Sequence, residues 1–291
     1  MSAARSAGGA TLSDRKRLAR IVPPLAVLGV AFFYPLALIG WRALRGAGGA
    51  PTLAHFAALV QSTLFVNALL HTVEIALLSS AGCVLLGFFL ALALAFVPLP
   101  GAVLVTRLVE TYIALPTFLL TLAFTFIYGS AGFINGELMR DFTLVSPPLH
   151  FLYSLWGVVL AEITAYTPFV LRPLLAAFAQ FDGAQIAVAS SLGAGPWRIV
   201  RSILVPAALP ALMVGGSLCL LLTVNEFGIV LFIGAKGVVT LPLLVYSKAI
   251  LQGDYAGACA AAVANIAISL SLYALYNRAL ARFGAGHAGL V

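Results

Sequence analysis

The sequence predicts an all-α membrane protein with six transmembrane helices, and its composition and apolar stretches lead to this fold class. Hydrophobic residues make up 62 % of the 291 residues, and charged residues make up only 9 %. A soluble domain carries about 25 % charged residues. The mean hydropathy of +1.09 is that of a polytopic membrane chain. The apolar residues form separate stretches of about 20 residues, the length with which an α-helix crosses a bilayer.

Six stretches are long enough to span a membrane, and a seventh is not. The predicted spans are Ile21–Trp41, Asn67–Val97, Val109–Tyr128, Phe151–Leu171, Pro206–Phe232 and Ala256–Tyr276. Pro116 and Pro168 fall inside two of them, which we expect to be kinked there. The seventh stretch, Gly237–Ile250, is shorter and contains Pro242, so we expect a partly inserted or interfacial helix.

The basic residues predict which side of the membrane each loop faces, because cytoplasmic loops carry an excess of lysine and arginine. With the N-terminus inside, 11 of the 16 basic residues lie on the cytoplasmic side: Arg5, Arg15, Lys16, Arg17, Arg20, Arg107, Arg172, Arg198, Arg201, Arg278 and Arg282. We therefore expect an N-terminal tail, residues 1–20, a C-terminal tail, residues 281–291, and a long loop, residues 172–206, in the cytoplasm. The transmembrane domain is expected over residues 21–280.

Several functional classes find no support in the sequence. The net charge of +7 comes from basic residues that flank apolar runs, so it does not indicate binding to nucleic acid. The three cysteines show neither a disulfide framework nor a CxxC metal motif. There is no GxxxxGK[ST], HExxH or GxSxG sequence. We therefore expect no catalytic site, no metal and no directly bound cofactor.

The loop 172–206 carries an ordered pattern of residues that favour and break helices. Asp182 is a plausible N-cap for the alanine-rich segment after it. The sequence Gly193–Pro196 then ends that helix and forces a turn. A second helix is expected to follow, with Arg198 and Arg201 on its polar side, until Pro206 opens the next span. Two short helices at a glycine turn would make a compact knob.

The spacing in this loop resembles the EAA loop of ABC-importer permeases. In that pattern a glycine is followed by nine residues and then by I-x-L-P, and here nine residues separate Gly193 from Ile203-Leu204-Val205-Pro206. Ala189 fills the second alanine position. Two positions before it depart from the pattern, since Ala187 stands where glutamate is usual and Val188 where the first alanine is usual.

The resemblance implies a type I ABC-importer permease of a bacterial inner membrane. Its knob would fit a groove on a separate ATP-binding subunit, which uses the ATP. The implied coupling residues are Asp182, Ala187, Ala189, Gly193, Arg198, Arg201, Ile203 and Pro206. The implied partners are two ATP-binding subunits, a second permease subunit in a homodimer or heterodimer, and a periplasmic solute-binding protein.

Ionisable residues inside the spans are candidates for the translocation pathway, because charge is costly at that depth. Glu162 and Tyr166 lie in the fourth span. Their two alternative roles are to line the pathway and to form hydrogen bonds between helices. Asn225 and Glu226 end the fifth span, and the resemblance implies a gating or lining role. The alternative for Glu226 is an ion pair with Lys236 or Lys248.

A polar stripe lies on the second span, where Asn67, His71 and Glu74 recur at helical spacing. It indicates either a substrate or proton path, or a polar patch near the outer surface that pairs with neighbouring helices.

Three segments give a hint of the substrate by resemblance. Glu162–Pro173, Asn225–Gly237 and Tyr246–Ile250 resemble the sulfate, molybdate, iron and phosphonate branch of importer permeases, and most of all permeases of 2-aminoethylphosphonate importers. Sulfate, thiosulfate, iron, thiamine and polyamine permeases remain alternatives. Outside the family, a secondary transporter would need paired broken helices and a buried ion site, which the sequence does not indicate. A purely structural role, as a scaffold subunit, is a further alternative.

Overall fold

The computed structural model describes residues 21–46, 48–234 and 236–288, together with all side chains there except those of residues 110 and 283–288. The α-helices are α1 (Ile21–Ala43), α2 (Ala54–Gln61), α3 (Thr63–Phe96), α4 (Ala102–Ile113), α5 (Thr117–Tyr128), α6 (Phe133–Asp141), α7 (Leu155–Ala179), α8 (Ala184–Ser191), α9 (Pro196–Val224), α10 (Gly228–Ile233), α11 (Leu241–Leu251) and α12 (Tyr255–Ala288). The predicted tail 1–20 lies outside the described residues.

The prediction of an all-α protein with six spans is confirmed. Six helical segments are long and apolar enough to cross a membrane: α1, α3, α5 with α6, α7, α9 and α12. Among the described residues, β structure is limited to one isolated bridge between Arg45 and Pro51. Because successive spans alternate in direction, the α7–α9 connection lies at one end of the bundle, here called the knob end. The opposite end is called the far end.

The third span differs from the prediction, which placed one helix over Val109–Tyr128. Helix α4 ends at Ile113, and Pro116 is the extended N-cap residue of α5, with φ −60° and ψ 137°. Proline lacks the N–H that continues a helix and disfavours helical geometry in the residue before it. The prediction that Pro116 kinks a span from inside was therefore wrong, whereas Pro168 does lie inside α7.

The fifth span also differs, because it starts and stops earlier than Pro206–Phe232. Helix α9 begins at Pro196, and a π-helical turn over Val200–Leu204 directly precedes Pro206. Such a turn accommodates a proline within a helix, since it already departs from the regular hydrogen-bond ladder. Pro206 thus lies within a continuous helix and does not open it. The helix ends at Val224, and the next helix, α10, begins only at Gly228.

Smaller shifts affect the remaining predicted bounds. The fourth span begins at Leu155 after a 3-10 turn at Phe151–Tyr153, and it continues to Ala179. The connection at the knob end is consequently shorter than residues 172–206. The sixth span continues to Ala288, so helix α12 includes most of the predicted C-terminal tail. The predicted seventh helix is observed as α11, with Pro242 in its first turn.

The centre of the bundle is formed by α3, α7 and α9, which pack against one another through glycines. A Cβ atom at Gly215 of α9 would lie 2.9 Å from Val170 Cα, and one at Gly87 of α3 would lie 3.0 Å from Val170 Cβ. Val170 of α7 is fully buried between them. Small residues allow this close backbone approach, which is how transmembrane helices gain packing energy in lipid.

At the far end, Asp254 joins α11 to α12. Its Oδ1 accepts the N–H of Gly257 at 2.9 Å, as an N-cap does, and its Oδ2 accepts from Lys248 Nζ at 3.0 Å. The backbone N–H of Gly257, and then Lys248, hold the pKa of Asp254 below its ordinary value. The carboxylate therefore stabilises the α11–α12 corner in its charged form.

Replacing Asp254 by asparagine should remove a pH dependence of stability. Because the folded-state pKa is lowered, the stabilisation is present above the unfolded-state pKa of about 4. It is lost as the pH falls through the folded-state value. Thermal unfolding from pH 7 downwards should show a steeper fall in the wild type than in Asp254→Asn. Equal pH profiles would contradict the assignment.

Candidate functional site

Two groups of predicted residues lie in separate places: the knob, residues 182–201, and a polar cluster buried between α7 and α9. The N-cap residue of α8, the first helix of the knob, is Gly183, one position after the predicted Asp182. Asp182 Oδ1 accepts the N–H of Ala184 at 2.9 Å, which satisfies one of the free amides of the first turn. Ala187 is exposed on this helix, and Ala189 is half-buried.

Gly193 ends α8 in a left-handed conformation, with φ +82°. The N–H of Gly193 donates to Ser190 O at 3.0 Å, and the N–H of Ala194 donates to Ala189 O at 3.0 Å. These two bonds form a Schellman motif, whose left-handed position strongly favours glycine. The predicted helix break is therefore present, and it turns the chain sharply into α9.

The knob exposes large apolar side chains although it lies at an end of the bundle. Leu192 is 83 % exposed, Trp197 72 % and Val188 59 %. Arg198 and Arg201 are also exposed. Beside the glycine turn lies a cavity of about 440 Å³, lined by Asp182, Ala184, Gln185, Val188, Ala189, Leu192 and Ile203. Apolar side chains rimmed by polar ones are typical of a surface that binds another protein.

The buried cluster centres on Glu226, in the break between α9 and α10. Its Oε2 accepts the hydroxyl of Tyr166 from α7, and its Oε1 accepts the N–H of Ile229 at 2.7 Å. Glu226 is only 8 % exposed. The carboxylate thus joins two spans and caps α10. The structure brings together Tyr166 and Glu226, which the sequence predicted separately.

The alternative ion pairs of Glu226 do not form. Lys248 Nζ binds Asp254 Oδ2 at 3.0 Å, and Lys236 is exposed. Among the described residues, the ion pairs are those of Lys248 with Asp254 and of Arg140 with Glu137 and Asp141. Glu226 is consequently held by hydrogen bonds and not by a lysine.

Glu162 lies one turn before Tyr166 and is fully buried. Neither of its carboxyl oxygens has a hydrogen-bond partner among the described residues, and the same holds for Ser79 Oγ, which faces it from α3. The two roles that the sequence left open, pathway lining and hydrogen bonding between helices, both stay predictions, because Ser79 of α3 lies beside this carboxyl. A buried polar group without a partner lowers stability.

Replacing Glu162 by leucine should therefore raise stability and lower transport. Removing an unpartnered buried carboxyl recovers about 1–3 kcal/mol of desolvation cost, so the unfolding midpoint in detergent should rise. Transport should fall if the carboxyl serves translocation. The isosteric Glu162→Gln variant is the control for shape. A midpoint that falls in the leucine variant would show that Glu162 is a structural residue after all.

Asn225 connects the same break to α12. Its Oδ1 accepts from Asn265 Nδ2 at 3.0 Å, and its Nδ2 donates to Leu221 O at 2.8 Å and to Ser269 Oγ at 3.4 Å. Sequence reasoning missed Asn265 and Ser269. Their spacing of four residues on an otherwise apolar span is the signal that could have found them.

The polar stripe on α3 is only partly paired. His71 Nδ1 lies 3.3 Å from Val239 O, whereas Asn67 and Glu74 are exposed. The nearby Thr72 Oγ1 accepts the N–H of Leu241 at 2.7 Å, so this part of α3 fastens the start of α11. Among the described residues, no three side chains of histidine, cysteine, aspartate and glutamate form a possible metal site.

Comparison with known proteins links the chain to a family, and the matched stretch includes the knob and the break. A family model described as the binding-protein-dependent transport system inner membrane component matches residues 83–284. A protein of Salmonella typhimurium, provisionally named the 2-aminoethylphosphonate transport system permease protein PhnU, is 59 % identical over 261 residues. The match covers 90 % of this chain and 91 % of that protein.

More distant relatives share the architecture. A protein of Chlorella vulgaris, named as a probable sulfate transport system permease protein, is 29 % identical over 216 residues, which cover 73 % of this chain and 78 % of that protein. Among solved structures, a bacterial ABC transporter involved in alginate import gives a TM-score of 0.74 at 19 % identity, covering 94 % of this chain and 98 % of that chain. The likeness at such identity concerns the fold.

Proposed function

Because the chain belongs to the binding-protein-dependent transport system inner membrane components, we propose that it is the subunit through which 2-aminoethylphosphonate enters a bacterial cell. A member of this family is a permease subunit of an ABC importer, a multi-pass protein of the inner membrane and not an enzyme. The substrate assignment is supported by one observation above all, the 59 % identity over 90 % of the chain with the Salmonella protein.

In this proposal, the knob couples the permease to ATP. Val188, Leu192 and Trp197 offer exposed apolar surface to a groove on a separate ATP-binding subunit. Ala187 and Ala189 allow close approach, and Arg198 and Arg201 meet acidic groups at the edge of the groove. Two such ATP-binding subunits bind and use the ATP, and this chain binds no cofactor itself.

The orientation follows from the same assignment. The knob end faces the cytoplasm with both termini, as the distribution of basic residues favours. The far end, with α2, α6 and α11, faces the periplasm and receives the solute from a binding protein. A second permease subunit completes the passage. Small motions of the knob would then be transmitted to the break at Asn225 and Glu226. The break lines or gates the pathway, together with Glu162 and Tyr166.

The decisive experiment reconstitutes the chain with its ATP-binding subunit and binding protein in vesicles. We expect ATP hydrolysis to be stimulated by 2-aminoethylphosphonate and the labelled compound to accumulate inside. Sulfate, thiosulfate, iron, thiamine and polyamines are tested in parallel, each with its own binding protein where one is needed.

The outcomes separate the alternatives. Stimulation by sulfate alone would favour the second candidate, which the 29 % identical Chlorella protein suggests. Uptake without any ATP-binding subunit would favour a secondary transporter. A chain that never associates with an ATP-binding subunit would overturn the coupling role of the knob.

A further inference from the structure

An open cavity at the far end has a positively charged wall that the proposed function does not use. It measures about 450 Å³ and lies between the end of α1 and the start of α12, lined by Arg42, Arg45, Gly46, Tyr255 and Ala256. Arg42 is in the last turn of α1. Two arginines on the outer side are unusual, because basic residues concentrate on the cytoplasmic side.

Neither arginine is neutralised within the described part of the chain. Asp254, the carboxylate next to the cavity-lining Tyr255, is already occupied, since it binds Lys248 and the N–H of Gly257. Both guanidinium groups are therefore left with donors for another oxyanion. Arginine presents its donors as a planar fork that matches phosphate and phosphonate oxygens.

Hydrogen bonds fix the backbone around Arg45, which lines this cavity and also a smaller one formed with Trp41, Leu44, Gly49 and Pro51. Its backbone O lies 3.2 Å from His55 Nε2, and the adjacent Leu44 O accepts the N–H of Thr52 at 2.6 Å. Arg45 Nη2 lies 3.5 Å from the position that a Cβ atom at Gly49 would take, and Gly49 has φ +80°. The turn thus passes close to the guanidinium without a side chain in the way.

We propose that this cavity binds a phosphonate or phosphate oxyanion through Arg42 and Arg45. The ligand is either the free oxyanion that arrives from the binding protein or the headgroup phosphate of an anionic lipid. That the bound oxyanion is the transported substrate rests on the proposed function. That the cavity binds an oxyanion at all does not. No carboxylate lines the cavity, so the amino group of 2-aminoethylphosphonate should add nothing to the binding affinity. Inorganic phosphate should therefore bind about as tightly as 2-aminoethylphosphonate.

Binding is measured on the full chain in maltoside micelles, which contain no phosphate. Equilibrium dialysis uses labelled inorganic phosphate and labelled 2-aminoethylphosphonate, with ethanolamine as competitor. We expect both oxyanions to bind saturably, ethanolamine not to compete, and Arg42→Gln/Arg45→Gln to weaken binding at least about tenfold. Arg42→Lys/Arg45→Lys keeps the charge without the fork and should give an intermediate loss.

The matched control is Arg140→Gln, another far-end arginine, whose guanidinium is paired with Glu137 and Asp141. It should bind like the wild type. Elution profile and unfolding midpoint identify any variant that does not fold, and the lysine variant then carries the test.

A second arm distinguishes the two sources of the oxyanion. The chain is extracted from vesicles of phosphatidylglycerol and phosphatidylcholine, and the retained phosphatidylglycerol is counted. The cavity is a lipid site if the wild type retains phosphatidylglycerol, the glutamine double variant does not, and the wild type binds no free oxyanion. Neither binding nor retention, or equal values in the wild type and the double variant, overturns the proposal. In a further outcome, the chain binds oxyanions while the reconstituted importer fails to transport 2-aminoethylphosphonate. That result would support the oxyanion site in the cavity and would reject the proposed substrate.

Discussion

Replacing Gly193 by valine should abolish coupling between ATP hydrolysis and transport while the membrane bundle stays folded. Gly193 has φ +82°, a conformation that costs an ordinary L-residue about 1–2 kcal/mol and a β-branched residue more. The Schellman bonds of Gly193 and Ala194 would break, and α8 would leave its position against α9. In the reconstituted importer we expect at least a tenfold fall in solute-stimulated ATP hydrolysis.

Gly195 provides a matched control for this variant. It is also exposed, and a Cβ atom there would meet nothing within 4 Å, as at Gly193. Its φ of −70° and ψ of 161° are open to any residue, and valine is favoured in that region. Gly195→Val should therefore keep most of the activity. Equal losses in the two variants would show that bulk at the knob, and not the left-handed turn, causes the defect.

The second large effect is expected at Glu226. Glu226→Ala removes the acceptor for the Tyr166 hydroxyl and for the N–H of Ile229, and both donors stay buried. Two such losses cost about 2–4 kcal/mol, so the unfolding midpoint in detergent should fall by several degrees. Transport should fall by more than the loss of folded protein explains, because the break between α9 and α10 loses both its cap and its link to α7.

Two milder variants separate these contributions. Tyr166→Phe removes only the link to α7, and Glu226→Gln keeps an oxygen for Ile229. Each should cost about 1–2 kcal/mol with α10 still capped. If Glu226→Ala were no worse than Tyr166→Phe, the cap of α10 would have no measurable role.

The sequence allowed the class of the fold and the turn of the knob to be predicted, because both depend on local signals. Apolar stretches of span length report membrane helices directly. The break at Gly193 follows from a residue type that a left-handed turn demands. The third span was misplaced because its apolar run continues through Pro116, and hydropathy does not register the missing N–H that ends the helix there.

The buried cluster was harder to predict because its partners are distant in sequence. Tyr166 and Glu226 were both candidates, but which residues meet in space is decided by how α7 packs on α9. Lys236 and Lys248 were equally reasonable partners by charge and by proximity along the chain. Asn265 and Ser269 went unnoticed because both are uncharged residues in a mostly apolar helix, where hydropathy hardly registers them.

The glycine contacts of Val170 give the bundle a mechanical property. Helices α7 and α9 are the two stems of the knob, and α7 packs on α9 at Gly215 too closely for the stems to slide past each other. We therefore expect the two stems to tilt together as one body. Helix α9 has 29 residues, which corresponds to a length of roughly 40 Å, so a tilt of roughly 10° moves one end by roughly 7 Å relative to the other. In the proposed function, a push at the knob would in this way shift the far end of the bundle.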